Sequence, residues 1–480
     1  MGAAWARVTG GLRGKTAPIR EKRLGAIGAY SGSLSGLLQE VLRGELKQRV
    51  RTFAQDGPSD LQVALELLGT IADAAIVVHG PAGCAASLRG GDAGGAGRWL
   101  VTGINERESI LGAETKLRQA IVQAHRAWSP AAIFVVATPV VAINNDDIET
   151  AVIDAREELG IPIVPVYTDG FRSKVAATGY DVSVHALIKH VAPSRPRPRG
   201  EHINLLAVAE SRHNVDALRG LLAELGLDAQ VFPRYGRISE APQLAEARLS
   251  VAIDAGTAGY AGELLEELYD IPFLRLPPPV GIPATARWLD AIAAATGRDA
   301  QCPDLIARHT ERVAELVQAA GALQRAPLFI NLPAGSAFAV AQLAHALDLR
   351  VTGCKFSEIG DGDAPALATL LADHGDLPVL VGNGQVFEEA NLLGTLKPAL
   401  YVGSGNRAVH ALRLGIPVFD LARRPTLGYA GVESILTGLA RTLGKPALAH
   451  FLADGGGTDD AYTASWLGKS THWHVKHESN

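Results

Sequence analysis

Cysteine is scarce in this chain, with 3 residues in 480. That rules out a disulfide-stapled fold, which relies on many paired cysteines in a short chain. Each cysteine is then either a small buried hydrophobe or one ligand of a metal centre whose other ligands lie elsewhere. Charge of one sign is also missing. The 45 Lys and Arg against 50 Asp and Glu leave a net charge of −5, so nothing favours nucleic acid or an anionic membrane as a partner. No apolar run reaches the roughly 18 to 20 residues of a membrane-spanning helix. Met1 to Arg23 has basic residues but no apolar core followed by a cleavage site, so a cytoplasmic protein is expected. No G-x-x-x-x-G-K-[ST] loop is found, which argues against binding ATP phosphates by that route. No Ser-His-Asp arrangement or H-E-x-x-H motif stands out either.

What is present is an ordinary globular composition, 47% apolar and 20% charged, with 52 Gly and 26 Pro for turns. The length suggests about three domains. Short apolar runs alternate with helical patterns. Ala74 to Val78, Ile133 to Ala137 and Ile161 to Tyr167 read as strands, with a helix over Ile148 to Leu159. After the Pro/Arg-rich stretch Pro193 to Gly200, strands are expected at Ile203 to Val208, Ala229 to Phe232, Leu249 to Ile253 and Phe273 to Leu276, with a helix over Val215 to Leu225. A third series follows at Pro327 to Ile330, Arg350 to Thr352, Pro378 to Val381 and Ala399 to Val402. Alternating β and α at this spacing predicts parallel sheets covered by helices on both faces. The expected fold class is α/β: three Rossmann-like, doubly wound domains over residues 51-195, 201-325 and 326-445, around a central cleft. The stretch at 193-200 reads as a stiff, solvated linker, with an interaction patch formed by its arginines as the alternative.

His79-Gly80-Pro81-Ala82-Gly83-Cys84 follows the strand-like run at 74-78 and places Cys84 on a glycine-rich turn at a strand's carboxyl end. That is where open α/β sheets hold their chemistry. Gly403-Ser404-Gly405-Asn406 also follows a strand and opens a helix, as an anion site or a plain tight turn. Cys302, beside Pro303, is expected in a loop. Cys354 is expected just after a strand, as a packing residue. His472, His474 and His477 have chelating spacing, or belong to a carboxyl-terminal tail that buries Trp473.

In order along the chain, several segments resemble the component-one subunits of nitrogenases and nitrogenase-like reductases. His79 to Cys84 is similar to that family's H-G-P/S-x-G-C turn. Thr102 to Leu117, with Asn105-Glu106 and Leu111 to Glu114, resembles its next segment. Ala137-Thr138-Pro139 through Asn145-Asp146-Asp147-Ile148 resembles its T-T-C…G-D-D stretch, and Pro165 to Phe171 with Gly179-Tyr180 the loop after it. Pro279 to Thr285 and Leu414 to Asp420, followed by Gly428-Tyr429-Ala430-Gly431, are similar to the later signatures of β-type subunits. The resemblance implies the three-domain nitrogenase component-one fold, with residues 1-50 as an amino-terminal extension and 446-480 as a tail on the partner. It also implies pairing with an α-type sister subunit as α2β2, and an ATP-hydrolysing iron protein as electron donor.

The family's β-type subunits usually give three cysteines to an interface cluster. Here only Cys84 matches. Pro139 stands at the second place, and Gln55 to Ser59 covers the third without a cysteine. The resemblance therefore implies an interface iron–sulfur cluster, four-iron or P-cluster-like, held by Cys84 and mostly by the partner's thiolates. Asp56 is the second candidate ligand from this chain, or an exposed turn residue. By the same resemblance, Asp254 or Ala255 stands at the place of the large cofactor's cysteine. After Phe419-Asp420 come Arg423 and Arg424 and no histidine. The large nitrogenase-type cofactor is thus expected in the partner, and no catalytic residue is assigned to this chain. The segments Arg20 to Ile27, Tyr30-Ser31-Gly32 and Arg51 to Gln55 resemble nitrogenase-like reductases of sulfur metabolism. The function so implied is an oxidoreductase subunit, relaying electrons toward reduction of small methyl thioethers as in methylthio-alkane reductases. The alternative is the β-type subunit of a scaffold for cofactor maturation without turnover.

Overall fold

The computed structural model of the protein describes residues 26–44, 59–86, 98–168, 175–193, 195–319, 326–382, 384–403, 408–421 and 424–443. Its strands form three sheets. β1 (Tyr30–Ser33) comes first in the chain. β2 (Ala74–His79), β3 (Trp99–Val101), β4 (Ala132–Ala137) and β5 (Ile163–Tyr167) make a parallel sheet in the order β3-β2-β4-β5. β6 (Ile203–Ala207), β7 (Ala229–Pro233), β8 (Leu249–Ala252) and β9 (Phe273–Leu274) make a second, in the order β7-β6-β8-β9. β10 (Pro327–Leu332), β11 (Arg350–Phe356), β12 (Pro378–Val381), β13 (Leu400–Gly403) and β14 (Val418–Asp420) form the third with β1, in the order β1-β12-β11-β10-β13-β14. Two parallel sheets, and a third that is parallel except for its edge strand β1, with intervening helices, are the α/β architecture expected from the sequence.

The chain divides into two compact units. Among the described residues, the first takes those of 59–210 and 226–276, and the second takes those of 26–44, 211–225 and after 276. In the first unit every residue of β2 and β4 is buried. Side chains alternate along β4 with the period of two that a strand imposes. Ala132, Phe134 and Val136 enter one core with Leu61, Leu187, Leu206 and Leu265, while Ile133, Val135 and Ala137 enter another with Leu117, Ile121 and Val152. Each such Val, Ile or Phe contributes about 1.5–3 kcal/mol on burial. The first of these cores reaches both four-stranded sheets. The helices Asp60–Leu68, Thr178–Val191 and Ala255–Tyr269 pack within it, and the first two meet at Gly179. A Cβ at Gly179 would stand 2.1 Å from the Asp60 carbonyl oxygen. The helix Ile148–Leu159 forms as its pattern predicts, with Asp147 accepting from the Thr150 amide at 3.1 Å at its start and Gly160 in the left-handed conformation at its end.

In the second unit β1 pairs antiparallel with β12, Tyr30 opposite Val381. Tyr30-Ser31-Gly32-Ser33 has weak strand propensity, so this strand exists because a partner edge receives it. The helix Arg212–Glu224 packs against the helix Gly428–Leu443, and Asn214 holds the approach to that helix. Its Oδ1 accepts from the Thr426 amide at 2.7 Å, and its Nδ2 donates to the Thr426 hydroxyl at 3.0 Å.

Two cysteine expectations are corrected. Cys302 is not in a loop: it opens the helix Cys302–Ala319, is buried, and its thiol donates to Asp290 at 3.4 Å. Burial and Asp290 push that thiol up to about 11. Cys354 does not follow a strand but lies inside β11, fully buried, and burial pushes it up to about 12. The strand runs on because Gly353 to Phe356 continue the pairing with β10.

Candidate functional site

β2 ends at His79, and the chain turns at Gly80. No larger residue fits there: a Cβ at Gly80 would lie 2.0 Å from the Thr138 hydroxyl, just past the end of β4. Pro81 follows, and the short helix Ala82–Ala86 carries Cys84, whose amide donates to the Pro81 carbonyl at 3.1 Å. Cys84 is half-buried and outside any disulfide. Because His79 pairs with Ala137, β2 and β4 end level. Cys84 and Pro139 thus leave the carboxyl ends of neighbouring strands. Pro139 opens the helix Pro139–Asn144, where a missing N–H costs nothing, and it offers no ligand atom.

Beneath this turn lies a network among residues far apart in sequence. His79 is 1% exposed. Its Nε2 is 2.9 Å from Asp146 Oδ2 and its Nδ1 is 3.1 Å from the Thr102 hydroxyl. Asp146 Oδ1 accepts from the Ala113 amide at 3.1 Å, and the Thr102 oxygen accepts from the Gly80 amide at 2.9 Å. Burial holds His79 below the ordinary imidazole range, against the opposing hydrogen bond and charge of Asp146. The neutral ring facing a carboxylate carries its proton on Nε2, so Nδ1 accepts from Thr102. Sequence reasoning passed over this network. Asp146-Asp147 gave a signal only in retrospect: Asp147 caps the following helix, leaving Asp146 without a local role.

Among the described residues, no group of three or more His, Cys, Asp and Glu side chains is placed to hold a metal ion. Cys84 is therefore a lone soft donor, and a cubane takes four ligands. The donors described here fit one corner of a cluster shared with another subunit, and do not fit a cluster held by these residues alone. Asp56 lies outside the described residues, as do Arg423, His472, His474 and His477. Asp254 accepts from the Gly256 amide at 2.9 Å as the cap of the helix Ala255–Tyr269, and Arg424 lies 5.6 Å from the centre of the Phe419 ring. Near Asp254, burial and its charge push Glu210 up to about 7.

Each unit carries one further feature. The helices Glu106–Leu111 and Pro139–Asn144 pack together and leave Ile110, Leu111 and Ile143 at 82%, 72% and 67% exposure. Apolar side chains so exposed mark a contact surface when they cluster. In the third sheet, Lys355 pairs with Glu389 at 2.5 Å and also donates to the Gly384 carbonyl. Asn331 donates to Glu389 at 2.8 Å, and the Tyr401 hydroxyl donates to it at 2.6 Å.

A doubly wound α/β protein with a single thiol on the turn after a buried parallel strand is the class that fold and site define. Residues 62–444 match the family described as Nitrogenase component 1 type Oxidoreductase, and the chain belongs to that family. It is similar to the nitrogenase iron-molybdenum cofactor biosynthesis protein NifE of Nostoc sp., 27% identical over 423 residues, covering 83% of this chain and 85% of that protein. The same-named protein of Rhizobium meliloti is 25% identical over 394 residues, covering 78% and 82%. A nitrogenase molybdenum-iron protein alpha chain of Methanosarcina barkeri is 26% identical over 226 residues, covering 44% of this chain and 42% of that one. The solved structure titled "Nitrogenase Cp1 at pH 6.5" shares the fold, with a TM-score of 0.71 at 16% identity over 83% of this chain and 94% of that one.

Proposed function

We propose that this chain is the β-type subunit of a nitrogenase-like catalytic component and that Cys84 supplies one thiolate to an iron–sulfur cluster shared with an α-type sister, assembled as α2β2. When bound, such a cluster stores and passes single electrons. The chain's own part is to fix the thiolate on a rigid turn through Gly80, Thr102 and His79. The observation that carries the reading is the lone, half-buried Cys84 on the turn after β2. Electrons come from an ATP-hydrolysing iron protein and go to a large cofactor held by the sister. The cluster of Ile110, Leu111 and Ile143 supports a docking face on this unit. Asp56 is the second proposed ligand, and small methyl thioethers are the proposed substrate class.

A second reading is a scaffold on which the nitrogenase cofactor matures. It is favoured by the printed names of relatives that span most of this chain. One experiment separates the two. The co-purified complex is given an iron protein, ATP and a methyl thioether. Release of hydrocarbon and methanethiol supports the reductase. Cofactor transfer to an apo-nitrogenase without turnover supports the scaffold. Asp56→Ala should alter the cluster's spectrum, and an unchanged spectrum removes Asp56 as a ligand.

A further inference from the structure

The Thr102 hydroxyl has two acceptors within reach, His79 Nδ1 at 3.1 Å and the Gly80 carbonyl at 3.3 Å. With the ring neutral, the hydroxyl donates to Nδ1. If Nδ1 gains a proton, the ring becomes a donor on both nitrogens. Thr102 then accepts from Nδ1 and rotates its own proton onto the Gly80 carbonyl, while still accepting from the Gly80 amide. Asp146 keeps its bond to Nε2 and its bond from the Ala113 amide. Neither state leaves a group of this array unpaired, as buried polar groups require. The other charged pair on these segments, Lys116 with Glu108 at 2.8 Å, is engaged on the Gly103 carbonyl and does not enter the array.

We propose that His79, with Thr102 and Asp146, is a positioning residue that holds the Cys84 turn in either charge state of its ring and takes one proton onto Nδ1 when negative charge appears at Cys84. The proton comes from solvent, no bond other than N–H forms, and no electron moves. The idea rests on the reading of Cys84 as a ligand, because it is the thiolate and what it binds that bring the charge. Asp146 keeps the charged ring stabilised, and the hydroxyl rotation keeps the turn in place.

The test uses the full chain without iron. Cys84 is alkylated with iodoacetate, which leaves a carboxylate, or with iodoacetamide, which leaves a neutral amide of nearly the same shape. Mass spectrometry checks that the buried Cys302 and Cys354 stay unmodified. If alkylation is incomplete, Cys84→Asp against Cys84→Ser makes the same comparison. Histidine labelled with 15N then reports Nδ1 protonation across pH. The His79 signal among the 14 histidines is assigned by its loss in His79→Gln and, independently, by its displacement in Thr102→Ser. The negative form is expected to protonate at least half a pH unit higher, about threefold in proton affinity. Thr102→Val should lower the midpoint and Thr102→Ser restore it, a rescue that a purely space-filling role does not predict. Equal midpoints in the two alkylated forms, or an Nδ1 that stays bare while the chain is folded, overturn the proposal. The ligand reading fails separately, if Cys84→Ala leaves the iron content of the complex unchanged.

Discussion

At the carboxyl end of β2, a histidine, a carboxylate and a threonine satisfy one another, and the turn that follows carries Cys84 as a free thiol. At the carboxyl ends of β10, β11 and β13, Lys355, Glu389, Asn331 and Tyr401 satisfy one another, and the nearby thiol, Cys354, is sealed inside its strand. Both regions sit where open α/β sheets carry their chemistry. The difference is accessibility. A closed polar network with a buried thiol beside it holds a fold in one arrangement. A closed network at the base of a turn with a half-buried thiol leaves that thiol partly open to solvent.

The sharpest break of this comparison swaps the two thiols' fates. Cys84→Ala in the co-purified complex should lower iron content and abolish electron transfer from the iron protein, while Cys354→Ala leaves iron unchanged. Metal analysis and turnover check both, and equal effects would erase the contrast. Next comes the ion pair. Glu389→Leu strands a buried ammonium and should cost about 3–5 kcal/mol by denaturant unfolding. Adding Lys355→Met should return much of that loss, and no recovery would mean the pair does more than compensate itself. Third, Gly80→Ala drives a Cβ into Thr138 and should destabilise by about 2–3 kcal/mol. An unchanged midpoint would show that the turn has slack.

The smallest effect is expected in the second sheet. Glu210 is held above an ordinary carboxyl, up to about 7, by burial and by the charge of Asp254. The fold therefore favours its protonated form. This contribution is fully present below the unfolded carboxyl range and is lost as pH rises toward 7. Glu210→Gln should keep acceptance from the Val208 and Ala209 amides. It should also be more stable than the parent above pH 7 by about 1–2 kcal/mol. Parallel stability–pH curves for the two proteins would remove Glu210 as a titrating group.

The strands were readable where burial on both faces writes a continuous apolar run, as at Ala74 to Val78, Ile133 to Ala137 and Pro378 to Val381. The helix Ile148–Leu159 was readable from its period and its cap. β1 was not, because Tyr30-Ser31-Gly32-Ser33 becomes a strand only by accepting the edge of β12. Cys84 was legible from its turn and spacing. Its support was not: His79 and Thr102 come from the ends of β2 and β3 and Asp146 from the loop between the helices Pro139–Asn144 and Ile148–Leu159, and no local pattern encodes a bond across 67 positions. Cys302 and Cys354 were misplaced for a related reason, since helix starts and strand ends shift by a few residues according to tertiary pairing.

The pairing of β1 with β12 has a consequence in time. Ser35, just after β1, bonds Asp376, just before β12, across 341 positions. A nascent chain that emerges amino end first must keep β1 waiting until β12 has been made. The unit that bears Cys84 ends its last segment at residue 276, long before that edge exists. Ribosome order thus delivers the Cys84 turn early and closes the third sheet late. Such distant contacts are slow to form. During synthesis the half-buried thiol is on offer while the other unit is still unfinished.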